Sequence, residues 1–241
     1  MSDEFPYLSE QERIRFPDPG EGTPEGIVAT GANLSPGVLL SAYEQGIFPW
    51  FSEGDPVLWW SPDPRFVLFP SELHVPRRVA RRIRTGDYWL SFDTAFNEVI
   101  QKCSEVPRPG QDGTWITSEM IDGYIKLHEL GFAHSVEAWS GSELAGGLYG
   151  VSLGRVFFGE SMFATQTDAS KVAFVSLVRH LSLLGFELVD CQVYTEHLER
   201  FGAREVPRTE FLSVLGRALN SCSTLRGNWG SEARLSSRPS T

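Results

Sequence analysis

Residues 132–202 read FAHSVEAWSGSELAGGLYGVSLGRVFFGESMFATQTDASKVAFVSLVRHLSLLGFELVDCQVYTEHLERFG, and the fold turns on this stretch. Residues 132–139 and 143–151 are rich in apolar and β-branched side chains and are predicted strands. Leu153-Gly154 makes a turn, and 155–163 returns as a further strand. Asp168 is the predicted cap of a helix carrying Val172, Ala173, Phe174, Val175, Leu177, Val178, Leu181 and Leu184, closed by Gly185. A helix this apolar is expected between layers. Residues 186–193 form another strand, Thr195 caps a short helix, and Phe201-Gly202 ends it. Strands in sequence, then a helix, then one more strand predict an α+β fold with a mixed sheet.

Outward from this segment, helices are predicted after Asp93 (Phe96, Val99, Ile100, Cys103) and after Ser118 (Ile121, Tyr124, Ile125, Leu130). A last helix covers residues 210–219. Ser35-Pro36 starts a helix through Leu39 and Tyr43, ended by Gly46. Between these regions lies GIFPWFSEGDPVLWWSPDPRFVLFP, residues 46–70. Prolines 49, 56, 62, 64 and 70 exclude a long helix. Its aromatic residues suit either a plug sealing a domain junction or a ligand surface.

The 241 residues carry a formal charge of −10, which disfavours generic affinity for phosphates. Against that background HVPRRVARRIR, residues 74–84, is a dense basic cluster. Arg77, Arg78, Arg81, Arg82 and Arg84 would crowd one broad face of a helix beginning near Pro76. They are either a solvated face or a phosphate-binding patch. Cys103, Cys191 and Cys222 form no disulfide framework and no metal-ligand pattern. None of the five histidines has the spacing of a metal site, so no metal is expected. The acidic opening MSDEFPYLSEQER has no apolar core, and no apolar run approaches a membrane span. A cytosolic protein is expected. Residues 221–241, rich in Ser, Gly, Arg and Pro, are expected to be disordered.

Two places could hold chemistry. At the end of the strand FELV, Asp190 and Gln192 share one side of an ideal strand, with Cys191 opposite. A carboxylate beside an amide could orient an amine and take its proton; the pair could equally be a cap and a rim residue. In FFGESMF, Phe163 stands where a nucleophile elbow needs glycine, so Ser161 is not expected to be a nucleophile. Glu160 lies among Phe157, Phe158, Met162 and Phe163. It either faces solvent or needs a partner, often a cation. Phe157 and Glu160 can share a face only if the strand bulges near Gly159.

The element order resembles the GNAT acyltransferase superfamily, but Ala164-Thr165-Gln166-Thr167-Asp168 lacks the glycines that cradle coenzyme A pyrophosphate. The stretches YEQGIFPWFSEGDPVLWWSPDPR, TWIT, LHELGFAHSVEAW, LAGGLYGVSLGRVFFGESMF, DASKVAF and GFELVDCQVYTEHLERFGAREVPR resemble the leucyl/phenylalanyl-tRNA–protein transferase family, which is GNAT-like. Ala32-Asn33 departs from the family's usual Gly-Asp. The resemblance implies a small N-terminal α+β domain over residues 1–64, bearing the aromatic loop, and a GNAT-like aminoacyl transferase domain over 65–220. It implies Leu-tRNA and Phe-tRNA as donors and proteins with N-terminal Arg or Lys as acceptors. No cofactor is implied: no coenzyme A, ATP or metal. Trp50 and Trp115 would lie near the terminal adenosine, Phe157 and Met162 would line the amino-acid pocket, and Glu160, Asp190 and Gln192 would sit at the reaction centre. The arginine cluster would hold tRNA phosphates. A coenzyme A-dependent N-acetyltransferase and a non-catalytic RNA- or peptide-binding module are the alternatives.

Overall fold

The computed structural model describes residues 5–106 and 116–230. Along the chain the principal elements are β1 (Ile27–Thr30), α1 (Pro36–Glu44), β2 (Phe48–Pro49), β3 (Leu58–Trp60), β4 (Arg65–Leu68), α2 (Arg77–Thr85) and β5 (Trp89–Phe92). There follow α3 (Phe96–Glu105), α4 (Ser118–Glu129), β6 (Ala133–Ser140), β7 (Glu143–Leu153), β8 (Val156–Ala164), α5 (Ala169–Leu183), β9 (Leu188–Gln192), α6 (Glu196–Glu199), β10 (Arg204–Val206) and α7 (Arg208–Asn220).

The aromatic loop and the strand before it form a three-stranded sheet in the order β1-β3-β2. The remaining strands form a seven-stranded sheet, β10-β4-β9-β8-β7-β6-β5. All its pairs are antiparallel except β8 with β9. A parallel pair needs a crossover, and α5 supplies it. The result is an α+β fold with a mixed sheet, as the element order implied.

Two apolar layers sandwich the large sheet. On one face α5 and Val79 of α2 pack with Phe66, Phe92, Phe157 and Val189. On the other, α1, α3, α4 and α7 pack with Tyr149, Phe158 and Phe163, and the same layer takes in Phe48, Phe51 and Trp59 of the aromatic loop. Close approach of α5 to β7 requires a residue without a side chain. A Cβ on Gly146 would lie 2.7 Å from the Cβ of Ala169.

Local chemistry corrects several expected details. Thr117, rather than Ser118, caps α4, its hydroxyl accepting from the Met120 amide. Asp93 does not cap α3. Its carboxylate instead takes the Ser135 and Trp229 amides, at 2.9 and 2.7 Å, and lies 2.8 Å from His134 Nδ1. Ala32 holds a left-handed φ of 64°, which explains why glycine suits that position. The disorder expected from residue 221 onward is also corrected over 221–230. Trp229 is buried and stacks on the His134 ring at 3.8 Å between centroids. Composition missed this because one large apolar side chain can anchor an otherwise polar segment.

Candidate active site

The site forms where two parallel strands part. The β8–β9 register ends with Phe158 opposite Asp190. Beyond that point Gly159–Met162 and Cys191–Thr195 diverge, and a cavity of about 370 Å³ opens between them. Its walls include Trp50 from the aromatic loop, Phe157, Glu160 and Met162 from β8, Gln192 from β9, and Phe174 from α5. Of the aromatic loop, Trp59 is fully buried and Trp50 reaches the cavity.

A bulge in β8 sets the wall. Gly159 pairs with Gly150 and Ser161 with Tyr149, leaving Glu160 as the extra residue. The extra residue reverses the side-chain alternation. Phe157 and Met162 consequently pack on the α5 side although five positions apart, while Phe158 and Phe163 pack on the α3 side. The bulge expected near Gly159 is present, and it delivers Glu160 to the cavity.

Glu160 is surrounded by hydroxyl and amide groups. The Tyr43 hydroxyl lies 2.7 Å from its Oε1, the Tyr124 hydroxyl 2.8 Å from its Oε2, and Gln192 Nε2 donates to Oε1 at 2.8 Å. Glu160 thus has the partners that its apolar surroundings demand, and they are hydroxyls and an amide rather than a cation. Burial, the largest influence, pushes the Glu160 carboxyl up to about 7, and the Asp190 charge adds to this against the three hydrogen bonds. A carboxyl held near neutrality in a cavity is suited to proton transfer.

Asp190 and Gln192 do not stand side by side as an open pair. Asp190 is fully buried and bound in two-pronged fashion by Arg65, with Nε–Oδ1 2.8 Å and Nη2–Oδ2 2.6 Å. The same Oδ1 accepts the Gln192 amide at 2.9 Å. This bond holds Gln192 at a left-handed φ of 65°, a turn that ideal strand periodicity does not anticipate. Asp190 thus lies behind Gln192 rather than in the cavity wall. Cys191 borders the cavity, but burial pushes its thiol far up, so it is no nucleophile at neutral pH.

Trp115 lies outside the described residues. The five arginines stand on α2, where Arg77, Arg78, Arg81 and Arg84 are exposed and Arg82 is half-buried. Arg78 and Arg82 are engaged by Asp168 Oδ2 at 2.6 and 3.0 Å. Sequence reasoning missed Tyr43, Tyr124 and Arg65. A signal did exist for the tyrosines. A phenol on the apolar face of a helix needs a buried partner, and here both find Glu160.

Residues 67–216 match the leucyl/phenylalanyl-tRNA protein transferase family, and residues 32–63 match that family's N-terminal domain. A leucyl/phenylalanyl-tRNA–protein transferase of Anaeromyxobacter dehalogenans (strain 2CP-C) is 62% identical over 218 residues, covering 90% of this chain and 93% of its own. That of Myxococcus xanthus (strain DK1622) is 58% identical over 229 residues, covering 95% and 94%. Among solved structures, L-PGS from Bacillus licheniformis matches with a TM-score of 0.39 and 9% identity, over 65% of this chain and 64% of its own. The chain belongs to the leucyl/phenylalanyl-tRNA protein transferase family and is an aminoacyltransferase.

Proposed function

We propose that this enzyme transfers leucine or phenylalanine from Leu-tRNA or Phe-tRNA to proteins beginning with Arg or Lys, giving them a destabilising N-terminal residue that marks them for degradation. The observation that carries the reading is a largely apolar cavity with Gln192 and Glu160 joined by a hydrogen bond in its wall. Phe157 and Met162 receive the leucyl or phenylalanyl side chain. Both share an unbranched β-carbon, and a flexible thioether adapts to either. Trp50, in the cavity wall, takes the terminal adenosine, a role the family resemblance also gives to Trp115. The α2 arginines hold phosphates.

The aminoacyl ester is already activated, so its conversion to an amide runs downhill. The acceptor's α-amine has an ordinary pKa of about 7.7–8.0, and a useful fraction is free base near neutrality. The enzyme's work is orientation and proton handling. Because Gln192 Nε2 is committed to Glu160, its carbonyl oxygen is the end left to accept from the amine. Asp190 positions Gln192 through its backbone amide.

Coenzyme A as donor is disfavoured by the backbone before α5. The Thr165 and Gln166 amides both donate to Ala145 O, at 2.9 and 3.2 Å, and are spent before any pyrophosphate arrives. No described helix is long and apolar enough to cross a membrane, and we place the reaction in the cytosol, where its tRNA donor is made.

The test is incubation with labelled Leu-tRNA and a peptide beginning with Arg. Label should move to the peptide, and Gln192→Ala should slow the transfer by about 10²-fold or more. No label in the peptide with wild-type enzyme, or a wild-type rate for Gln192→Ala with saturating substrates, would defeat this reading.

A further inference from the structure

The groups around Glu160 make more contacts than an ionised carboxylate and two phenols can fill. Besides the contacts of Tyr43 with Oε1 and Tyr124 with Oε2, the two phenol oxygens lie 2.5 Å from each other. Three oxygen–oxygen contacts thus close into a ring. Each phenol owns one proton. With Glu160 ionised, two protons serve three contacts, and one pair of oxygens must face each other bare at hydrogen-bond distance. One proton on the carboxyl removes the deficit. Placed on Oε2, it is donated to Tyr124, which donates to Tyr43, which donates to Oε1. Oε1 is then a carbonyl oxygen whose two lone pairs are filled by Tyr43 and by Gln192 Nε2.

We propose that Glu160 rests as a neutral carboxylic acid, its proton held in a closed ring with Tyr43 and Tyr124, and that it gives this proton to the oxygen leaving the cleaved ester. This rests on the reaction taking place in the cavity as proposed above. The acceptor's amine nitrogen bonds to the ester carbonyl carbon, and the bond from that carbon to the ribose oxygen breaks. The departing oxygen takes the Glu160 proton, and the proton shed by the amine restores the carboxyl, so no proton is consumed. Tyr43 and Tyr124 are positioning residues.

The surroundings favour the neutral form. Tyr43 from α1 and Tyr124 from α4 are fully buried, and Glu160 nearly so. Burial, the largest influence, pushes both phenols well above their ordinary range, so they keep their protons. From β7 the Tyr149 ring packs edge-on to Tyr124 at 5.5 Å. From β9 Asp190 presents a charge balanced by Arg65 of β4. From α3 the inward side chains are Phe96, Val99, Ile100 and Cys103. Two phenols donating to an anion would lower its pKa. They cannot both do so and still face each other at 2.5 Å. The neutral fraction is complete well below pH 7 and is lost as pH rises through about 7.

Infrared difference spectra of the full-length enzyme against Glu160→Gln test the ring without substrate. The carbonyl stretch of a protonated carboxyl should be present in wild type at about pH 6, absent from Glu160→Gln, and half lost near neutrality. Glu137 is the other described carboxyl that burial raises, so the Gln variant is needed to assign the band. In Tyr43→Phe or Tyr124→Phe, one remaining phenol can serve an ionised carboxylate without a bare pair. The midpoint should then fall by about one pH unit. The descending limb of the transfer rate should follow the band in each protein. No Glu160 band at about pH 6, or an unmoved midpoint in both folded Phe variants, would overturn the ring. A transfer rate that keeps rising past the band's midpoint would overturn the acid role. Absent transfer with the band intact would instead count against the proposed function.

Discussion

Asp190 illustrates how one residue can serve stability and the site together. Its partner Arg65 is fully buried, with the guanidinium carbon 4.8 Å from the Phe48 ring and 4.5 Å from the Phe211 ring. Such a cation is tolerable only while its carboxylate is present. Asp190→Ala should therefore cost about 3–5 kcal/mol, lowering the thermal midpoint by on the order of 10 °C. Gln192→Ala leaves the ion pair whole and should melt within a few degrees of wild type. Calorimetry of the two variants decides this: equal midpoints would mean the pair contributes little. Strand alternation predicts one shared side for Asp190 and Gln192. The positive φ at Gln192 and the arginine from β4 separate their roles, and neither is visible in a local window of sequence.

At the scale of elements, α2 combines two kinds of arginine. Arg78, Arg82 and Lys171 converge on Asp168 at the start of α5, and Arg82 also pairs with Asp87 at 2.8 Å. These contacts fix the helix to the body. Arg77, Arg81 and Arg84 are exposed. Replacing these three with Gln should weaken aminoacyl-tRNA binding and shift the log–log salt slope by roughly 0.7–0.9 per lost contact, with stability unchanged. A slope identical to wild type in binding titrations would make the exposed face merely solvated. The sequence located this helix because five arginines in eight residues are conspicuous in an acidic chain. It could not divide them, because Asp168 lies 86 positions along the chain from Arg82 and meets α2 only in the tertiary fold.

For the whole molecule, residues 221–230 close the fold rather than trail from it. Asp93 accepts the Trp229 amide, Trp229 stacks on His134, and the Arg226 guanidinium lies 4.3 Å from the Phe132 ring centre. Trp229→Ala should cost about 3–5 kcal/mol by leaving a large cavity beside α5. Unfolding in denaturant with an unchanged midpoint would show that the segment adds nothing to the core.

The sequence by itself determined the class of fold, the order of the central strands and helices, and the family. Those depend on periodicity and on long, rare strings that survive without knowledge of contacts. It also placed Glu160, Gln192, Phe157, Met162 and Trp50 among the residues of interest, and the structure brings these five to one cavity. Tertiary structure alone decided how they are placed. The β8 bulge turns Glu160 toward two tyrosines from helices more than 30 positions away in the chain, and the parting of β8 from β9 makes the space. Partners drawn from α1, α4 and β4 set the charge and orientation of each group, because a buried polar atom takes its properties from whatever long-range neighbour satisfies it.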